Sequence, residues 1–352
     1  MTDLMNVDRA VEHILAQITQ LNTETVHLAD AAGRILAEAI YSAIDLPPFP
    51  NSSMDGYAVR AADVATTPVA LPVVMDIPAG FFPTQSLQAG EAARIMTGAP
   101  IPDGADAVIP VEDTDSVWSL GDTPPATVTI HIGTKSGSNV RPIGENVKHG
   151  QLILAAGIQL RPQDIGMLAS LGYAQVQVTR QPRVVILTTG DELVNLGEPL
   201  TPGKIHDSNS YALASLVAQH GGIPAVLPIG RDTLESIQNL FQSALELNPD
   251  LVISSAGVSV GAADYTKTVL ETLGQVNFWR INLRPGKPLV FGMLTKSDQE
   301  QVPFFGLPGN PVSAMVTFDV CVRPALFKMI GRTDEPETAI AVTEESFTSD
   351  GR

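Results

Sequence analysis

Three short stretches combine glycine with hydroxyl, amide or proline residues directly after apolar runs. They are Thr188–Glu192, Ser254–Gly261 and Gly306–Pro311. Glycine lets a backbone approach a phosphate closely, and serine or threonine hydroxyls add hydrogen-bond donors to the free N–H groups. One such stretch alone is typical of an ordinary turn between a strand and a helix. Three of them favour a site for a phosphate-type anion, with these candidate ligands: Thr189, Gly190, Ser254, Gly257, Ser259, Gly309 and Asn310.

Five carboxylates follow or precede the same apolar runs: Asp191, Glu192, Asp207, Asp232 and Asp264. An anionic ligand beside them is unfavourable unless a hard cation lies between, and Mg²⁺ prefers oxygen ligands that it shares with phosphates. The sequence therefore predicts Mg²⁺ as the cofactor, with Glu192 and Asp264 as its candidate ligands. N-capping of the following helix is the simpler interpretation of Asp207, whereas for Asp232 capping and a site role are evenly balanced.

Basic residues are scarce, so the cluster of Arg280, Arg284 and Lys287 is informative. On an extended run Arg280 and Arg284 lie on the same side, and guanidinium groups suit bidentate binding of oxyanions. Solvated charges at a sheet edge are the alternative. His206 has the chemistry of a base, but a lone histidine is more often structural. Cys321 lies mid-helix and is expected in the core.

The elements that must position these residues alternate strictly after Pro182. Four continuously apolar strands are each followed by a helix, which indicates a mostly parallel sheet covered on both faces, a three-layer α/β domain. The carboxyl ends of such strands meet at one edge of the sheet, where ligands bind. The predicted strands are 184–188, 225–229, 251–254 and 304–307, and the predicted helices are 211–220, 234–247, 265–273 and 312–329.

The N-terminal half of the chain has a different pattern. Apolar residues recur at helical spacing over 6–20, which predicts an amphipathic helix. From Leu46 to about Gly150 this periodicity fades, and prolines cluster with short β-like stretches, which indicates a mainly β module. Any one of its turn-rich segments is explained by turn chemistry alone. Their clustering suggests a second binding surface: 47–59, 96–100 and 139–146.

Net charge and cysteine content restrict the classes of function. The chain carries 38 acidic and 21 basic residues, a net charge of −17, so its field repels polyanions and argues against a nucleic-acid groove. The single cysteine allows no intrachain disulfide and no Cys/His zinc spacing, which fits a reducing cytoplasm. Met1–Gln20 lacks the layout of a secretion signal, and no apolar run reaches the roughly 18 residues of a membrane span. We therefore expect a cytoplasmic protein without membrane partners.

Together these segments resemble the molybdopterin molybdenumtransferases, the enzymes that insert molybdenum into molybdopterin. The resemblance runs in order from the N-terminal helix to about Gly331. Its most specific element is Pro48–Val59, which contains Pro-Phe, Asn-Ser and Met-Asp-Gly-Tyr-Ala-Val. The other matching segments are Thr189–Leu193, Gly257–Gly261 with Asp264 and Tyr265, Pro285–Pro288 and Gly306–Ser313.

The resemblance implies adenylylated molybdopterin and molybdate as substrates, with Mg²⁺-dependent release of AMP and transfer of molybdenum to the dithiolene. It implies an elongated homodimer with a site shared between subunits, in which Asp55, Thr97 and Arg141 of one subunit complete the site of the other. The upstream adenylyltransferase is a further candidate partner. Carried over by position, the candidate catalytic carboxylates are Asp55, Glu192, Asp232 and Asp264, and the candidate substrate ligands include Arg280, Arg284 and Lys287, with Pro308 and Pro311 in the wall.

The resemblance also divides the chain into an α/β multidomain protein, in which the β module is inserted into a small α+β segment. We expect an N-terminal helix in 1–26 that packs on the α/β domain. The linking α+β domain is 27–46 with 147–179, the β module is 47–146, and the α/β domain is 180–330. Residues 331–352 would begin a C-terminal β domain. Only its first strand, Ala339–Val342, is expected, so we interpret the sequence as truncated.

The chain departs from the family pattern at four positions. Asn146 and Ala262 stand where relatives have acids, which weakens the case for a metal, and Arg280 and Arg284 stand where relatives commonly have lysine. A non-catalytic scaffold that binds pterin or a partner protein is an alternative function, although it would depend on the C-terminal domain. Adenylyl transfer to molybdopterin is another, and the Met54–Tyr57 run speaks against it.

Overall fold

The computed structural model describes residues 4–117, 123–255, 263–286, 288–296, 299–333, 339–343 and 345–346. The chain forms two compact units, Met1–Ala39 with Ala155–Arg352, and Ile40–Leu154. The helices are α1 (Val7–Leu15), α2 (Pro162–Ser170), α3 (Asn209–Gln219), α4 (Leu234–Glu246), α5 (Ala263–Leu273), α6 (Pro311–Thr317) and α7 (Arg323–Met329).

The strands, in chain order, fall on both sides of α2. Before it lie β1 (Thr23–His27), β2 (Ile40–Tyr41), β3 (Asn51–Ser52), β4 (Gly56–Val59), β5 (Val69–Ile77), β6 (Ala92–Ile95), β7 (Ala107–Pro110), β8 (Thr127–Ile130), β9 (Val140–Arg141) and β10 (Leu152–Leu154). After it lie β11 (Gln175–Thr179), β12 (Arg183–Thr188), β13 (Leu193–Val194), β14 (Ile205–His206), β15 (Ile223–Val226), β16 (Leu251–Ser255), β17 (Gly274–Arg280), β18 (Pro288–Thr295) and β19 (Gln301–Leu307).

The larger unit contains a six-stranded sheet in the order β15-β12-β16-β19-β18-β17. The first four strands are parallel, and β18 runs antiparallel to both of its neighbours, β19 and β17. Side chains alternate along each strand, so Ile186 and Phe305 face α1, α3, α6 and α7, whereas Leu187 and Phe304 face α4 and α5. Because both faces are covered, the parallel strands read as continuous apolar runs, as the sequence indicated.

The antiparallel pair β17–β18 was missed by the sequence pattern. β17 carries polar residues such as Gln275 and Asn277, and an edge strand with polar positions does not form the apolar run of a central strand. The predicted strand at 225–229 begins earlier, as Ile223–Val226. The observed sheet is therefore mostly parallel, as expected, with an antiparallel pair at one edge that the sequence pattern did not indicate.

Two predicted helices are interrupted or shorter. The helix expected over 312–329 is α6, a π-helical segment Phe318–Val322 and α7. Pro324 has no N–H to donate, so the regular ladder cannot pass through the start of α7. The helix expected over 6–20 ends at Leu15 because the following turns tighten into Gln17 N–H to Ile14 O and Ile18 N–H to Leu15 O bonds.

The smaller unit is built on a five-stranded sheet in the order β7-β4-β6-β5-β8, with the β3–β9 and β2–β10 pairs beside it. Gly56 lies so close to β7 that a Cβ there would be 1.9 Å from the carbonyl oxygen of Ile109. Tyr57 is fully buried and donates its hydroxyl to Ser116 Oγ at 2.7 Å, and burial raises its pKa. Glycine and tyrosine of the Met54–Tyr57 run therefore have structural roles.

The predicted linking domain is divided between the two units. The β1–β11 pair belongs to the larger unit and the β2–β10 pair to the smaller one. The predicted strand Ala339–Val342 is not formed, since in the described part of the chain no strand pairs with it, and Ile340 and Val342 are fully exposed. Among the described residues, no helix has the length and apolar character needed to cross a membrane.

Candidate functional site

Strand β12 ends at a buried hydroxyl–carboxylate pair. Thr188 Oγ1 donates to Asp207 Oδ2 at 2.9 Å, and the other oxygen of Asp207 accepts the Ser210 N–H at 3.1 Å. Both Thr188 and Asp207 are buried. The Ser210 bond lies in the first turn of α3, so the capping interpretation of Asp207 is supported, and the carboxylate also ties the strand end to the helix.

The loop after β12 places a carboxylate over a glycine. Gly190 has φ +151°, and a Cβ on it would lie 2.6–2.8 Å from the carboxylate atoms of Glu192. The backbone is fixed from the other side, because Gly190 N–H donates to Gly230 O at 3.2 Å. An L side chain at residue 190 would therefore displace the Glu192 carboxylate, which explains why glycine stands two residues before this glutamate.

Asp232 faces this loop instead of capping a helix. Its Oδ2 accepts the Asp191 N–H at 3.3 Å, whereas the N-cap of α4 is Thr233, whose hydroxyl accepts the Ser236 N–H. The N-capping alternative for Asp232 is wrong. Thr189 is buried at the same strand end and forms a bridge with Gly230.

The segment from Asp191 to His206 folds back on itself through the short parallel pair β13–β14. Lys204 Nζ donates to the Asp191 carbonyl, and His206 Nε2 donates to the Glu198 carbonyl at 2.9 Å. The contact of His206 is therefore with its own loop, which supports the structural interpretation of this histidine.

The third loop, between β19 and α6, is built by asparagine and proline. Asn310 caps α6 by accepting the Ser313 N–H at 3.2 Å, and Pro311 is the first residue of that helix. Pro308 is buried, whereas Gly309 is exposed. Asn209, the first residue of α3, donates its side-chain amide to the Gly309 carbonyl at 2.8 Å and to Ser255 Oγ at 2.6 Å.

These loops enclose a cavity of about 70 Å³ at the carboxyl ends of β12, β16 and β19. Its lining is polar at the strand ends and is completed by the 192–206 loop: Thr188, Glu192, Leu193, Ile205, His206, Asp207, Ser208, Asn209, Ser255, Gly309 and Pro311. Buried Ser254 adjoins it in sequence. A larger groove of about 520 Å³ between α4 and α5, lined by residues such as Gln242 and Leu273, contains none of the candidate residues.

Several predicted site residues fall at or beyond the limits of the described structure. Gly257, Ser259 and Lys287 lie outside the described residues, as do the side chains of Asp264 and Arg280. The backbone of Asp264 is in the first turn of α5, and Arg280 ends β17 opposite Pro288. Arg284 is exposed in the following loop. Gly286 packs so closely against α6 that a Cβ at this position would lie 2.4 Å from Thr317 Oγ1.

In the smaller unit, the predicted residues Asp55 and Thr97 are in direct contact. Asp55 Oδ1 accepts the Thr97 N–H at 2.7 Å, and the adjacent Gly98 N–H donates to Ser52 O at 2.8 Å. Arg141 is exposed on β9, where it pairs with Asn51. The two turn-rich segments around Asp55 and Thr97 therefore form one corner, and strand β3 links it to Arg141.

The oxygen atoms at the cavity beside β12, β16 and β19 suit a hard cation. The Glu192 carboxylate packs directly against Gly190, and oxygen is the ligand atom that Mg²⁺ prefers. Within the described ranges, no three His, Cys, Asp or Glu side chains converge as a complete metal site. Mg²⁺ commonly takes its remaining ligands from water and substrate phosphates, so an incomplete set of protein ligands suits it. Cys321 is buried in the core as predicted, and burial raises its pKa to about 12.

The comparisons with known proteins cover both units. The MoeA N-terminal region (domain I and II) matches residues 5–172, and a probable molybdopterin binding domain matches residues 185–328. The molybdopterin molybdenumtransferase of Haemophilus influenzae is 43% identical over 330 residues, which are 94% of this chain and 78% of that protein. The Bacillus subtilis molybdopterin molybdenumtransferase is 35% identical over 97% of this chain and 79% of its own length.

The chain belongs to the molybdopterin molybdenumtransferase family. Its fold agrees, since the crystal structure of the molybdopterin biosynthesis MoeA protein from Pyrococcus horikoshii OT3 has a TM-score of 0.77 at 31% identity, covering 94% of this chain and 81% of that one. The resemblance and the α/β multidomain fold expected from the sequence are confirmed. As a molybdopterin molybdenumtransferase family member, the chain is a transferase of molybdenum cofactor biosynthesis.

Sequence reasoning missed one residue that this family member places at the centre of its site. Asn209 did not stand out in the sequence, because it belongs to the polar run His206–Asn209, and polar residues at the start of a helix are usually explained by capping. Its partners Ser255 and Gly309 are 46 and 100 residues away, so no local spacing could have indicated the contacts.

Proposed function

We propose that the chain inserts molybdenum from molybdate into adenylylated molybdopterin with the help of a divalent cation and releases AMP. One observation carries the proposal: the Glu192 side chain lines a cavity at the ends of β12, β16 and β19, together with Thr188 and Ser255. The Ser255 hydroxyl and the loop N–H groups suit phosphate and molybdate oxygens, whereas the exposed Glu192 carboxylate beside them suits a cation. The family relatives named molybdopterin molybdenumtransferase supply the pterin part of the proposal.

The residues act in this proposal by binding and electrostatics, without a covalent nucleophile. Glu192 and Asp264 would hold the Mg²⁺, which when bound supplies positive charge against the substrate oxyanions. Arg280 and Arg284 would bind oxyanions through their guanidinium groups. Asp232 orients the Glu192 loop through the Asp191 N–H. Preorganised groups of this kind stabilise charge that develops as the bond to AMP breaks.

We infer that the chain acts as a homodimer in the cytoplasm. In this arrangement Asp55, Thr97 and Arg141 of one subunit complete the site of the other. The support within this chain is that Asp55 contacts Thr97 directly while remaining exposed in the turn between β3 and β4. Arg141 is also exposed, on the strand β9 that pairs with β3. The single cysteine is consistent with a reducing compartment.

The experiment is an AMP-release assay with adenylylated molybdopterin, molybdate and Mg²⁺. We expect wild type to release AMP, and Glu192→Gln to lose about 100-fold or more of the rate, because the neutral amide cannot replace the carboxylate. Glu198→Gln is the matched control, since Glu198 is an exposed acid of the same loop that accepts a hydrogen bond from Asn195. AMP release by Glu192→Gln at the Glu198→Gln rate, or none by wild type, would refute the proposal.

A further inference from the structure

The N-terminus of one helix is bonded to the ends of three neighbouring strands. Asp207, just before α3, binds Thr188 of β12. Asn209, the first residue of α3, binds Ser255 of β16 and the Gly309 carbonyl beyond β19. Strands β12, β16 and β19 are adjacent in the parallel part of the sheet. The ends of β12 and β16 and the loop that follows β19 are therefore all tied to the start of α3.

The two bonds of Asn209 use both hydrogens of one amide nitrogen. Nδ2 lies 2.6 Å from Ser255 Oγ and 2.8 Å from the Gly309 oxygen. Because a hydroxyl oxygen accepts while its hydrogen is donated elsewhere, the bond from Asn209 leaves the Ser255 hydrogen for a second acceptor. Ser255 lines the cavity, so an oxyanion of the substrate is the acceptor that the chemistry suits.

We propose that Asn209 is a positioning residue, which holds the Ser255 hydroxyl and the Gly309 loop at the spacing that the oxyanion of the substrate requires. This inference rests on the proposed function and adds a residue to it. Asn209 acts through Ser255 and through the Gly309 backbone, and it lines the same cavity. Without its amide, the two loops would lose the bonds that join them to α3.

The test compares Asn209→Ala and Asn209→Asp with wild type. Asn209→Asp keeps the shape but replaces both donors by an oxygen that faces the Gly309 carbonyl. The matched control is Asn195→Ala, which removes an amide donor to Glu198 Oε1 from a loop position outside the cavity lining. The measurements are AMP release at varied molybdate concentration, calorimetric titration with molybdate alone, and thermal unfolding.

We expect both Asn209 variants to bind molybdate about tenfold more weakly, the effect of one or two lost hydrogen bonds, with the change in KM rather than in kcat. Asn195→Ala should match wild-type affinity. Asn209→Ala should still unfold cooperatively, with a midpoint only a few degrees below that of Asn195→Ala, because each lost hydrogen bond costs about 1 kcal/mol. Ser255→Ala should lower affinity as well, and the loss in Asn209→Ala/Ser255→Ala should be smaller than the product of the two single losses, because part of the effect of Asn209 passes through Ser255.

Three results would overturn the inference. One is wild-type molybdate affinity in Asn209→Ala. Another is a double variant whose loss is the product of the two single losses, which would show that Asn209 does not act through Ser255. The last is failure of both Asn209 variants to fold, which would make the role purely structural. If wild type released no AMP, the proposed function would fail, and the molybdate titration would still decide the role of Asn209.

Discussion

Gly190 controls the position of the Glu192 carboxylate. With φ +151° and Glu192 atoms 2.6–2.8 Å from the place of a Cβ, an alanine would strain the backbone and displace the carboxylate. We expect Gly190→Ala to reduce AMP release about tenfold or more, since small misplacements of a catalytic group are costly. The loss is measured by steady-state AMP release at saturating molybdate.

Gly203 provides the control for this substitution. It has φ +83°, and a Cβ on it would have no atom within 4 Å, so Gly203→Ala adds backbone strain without moving a neighbour. Both variants should lose roughly 1 kcal/mol of stability, but only Gly190→Ala should lose activity. Equal activity of the two variants would show that Gly190 does not position Glu192.

At the scale of single elements, α2 of the larger unit is fixed by a capping pair. Asp164 is buried and accepts the Arg161 N–H at 2.9 Å and its Nε at 3.0 Å. The hydrogen bond from the Arg161 side chain holds the pKa of Asp164 below its usual range. Stability from this pair is therefore present above the unfolded pKa of about 3.9 and is lost as the pH falls through the lower folded pKa.

Asp164→Asn removes the charge and should cost roughly 1 kcal/mol of unfolding free energy near pH 7. The difference from wild type should shrink below about pH 4, where wild type loses the same interaction. Urea unfolding over this pH range measures the effect, with Glu38→Gln, an exposed acid of the same unit, as the control. A difference that stays constant with pH would contradict the assignment.

The sequence predicted an element correctly where its buried residues form a regular apolar pattern along the chain. The strand ends Thr188 and Leu307 followed from apolar runs, and the end of β16 at Ser255 was predicted to within one residue, because central parallel strands are buried on both faces. The strand Gly274–Arg280 did not, because an edge strand is not buried in this way. The contacts of Asn209 could not be predicted either, since they join residues that only the completed sheet brings together.

At the scale of the whole molecule, charge limits how an anionic substrate can bind. A net charge of −17 repels phosphate and molybdate, so binding requires local positive charge at the site. The proposed Mg²⁺ and the arginines of the 280–284 segment would meet that requirement. Positive charge of this kind would also allow a carboxylate such as Glu192 to lie beside an anion site.

The measurement that tests the central claim most directly uses two inactive variants in mixed dimers. The claim is that Glu192 of one subunit and Asp55 of the other act on the same adenylylated pterin. Asp55→Asn and Glu192→Gln are produced separately and also co-expressed with different tags, and AMP release is measured for each purified species. Each mixed dimer would contain one intact site of two. We predict negligible release by either parent and about half the wild-type rate for the mixed dimer. A mixed dimer as inactive as its parents, or an Asp55→Asn parent as active as wild type, would contradict the account.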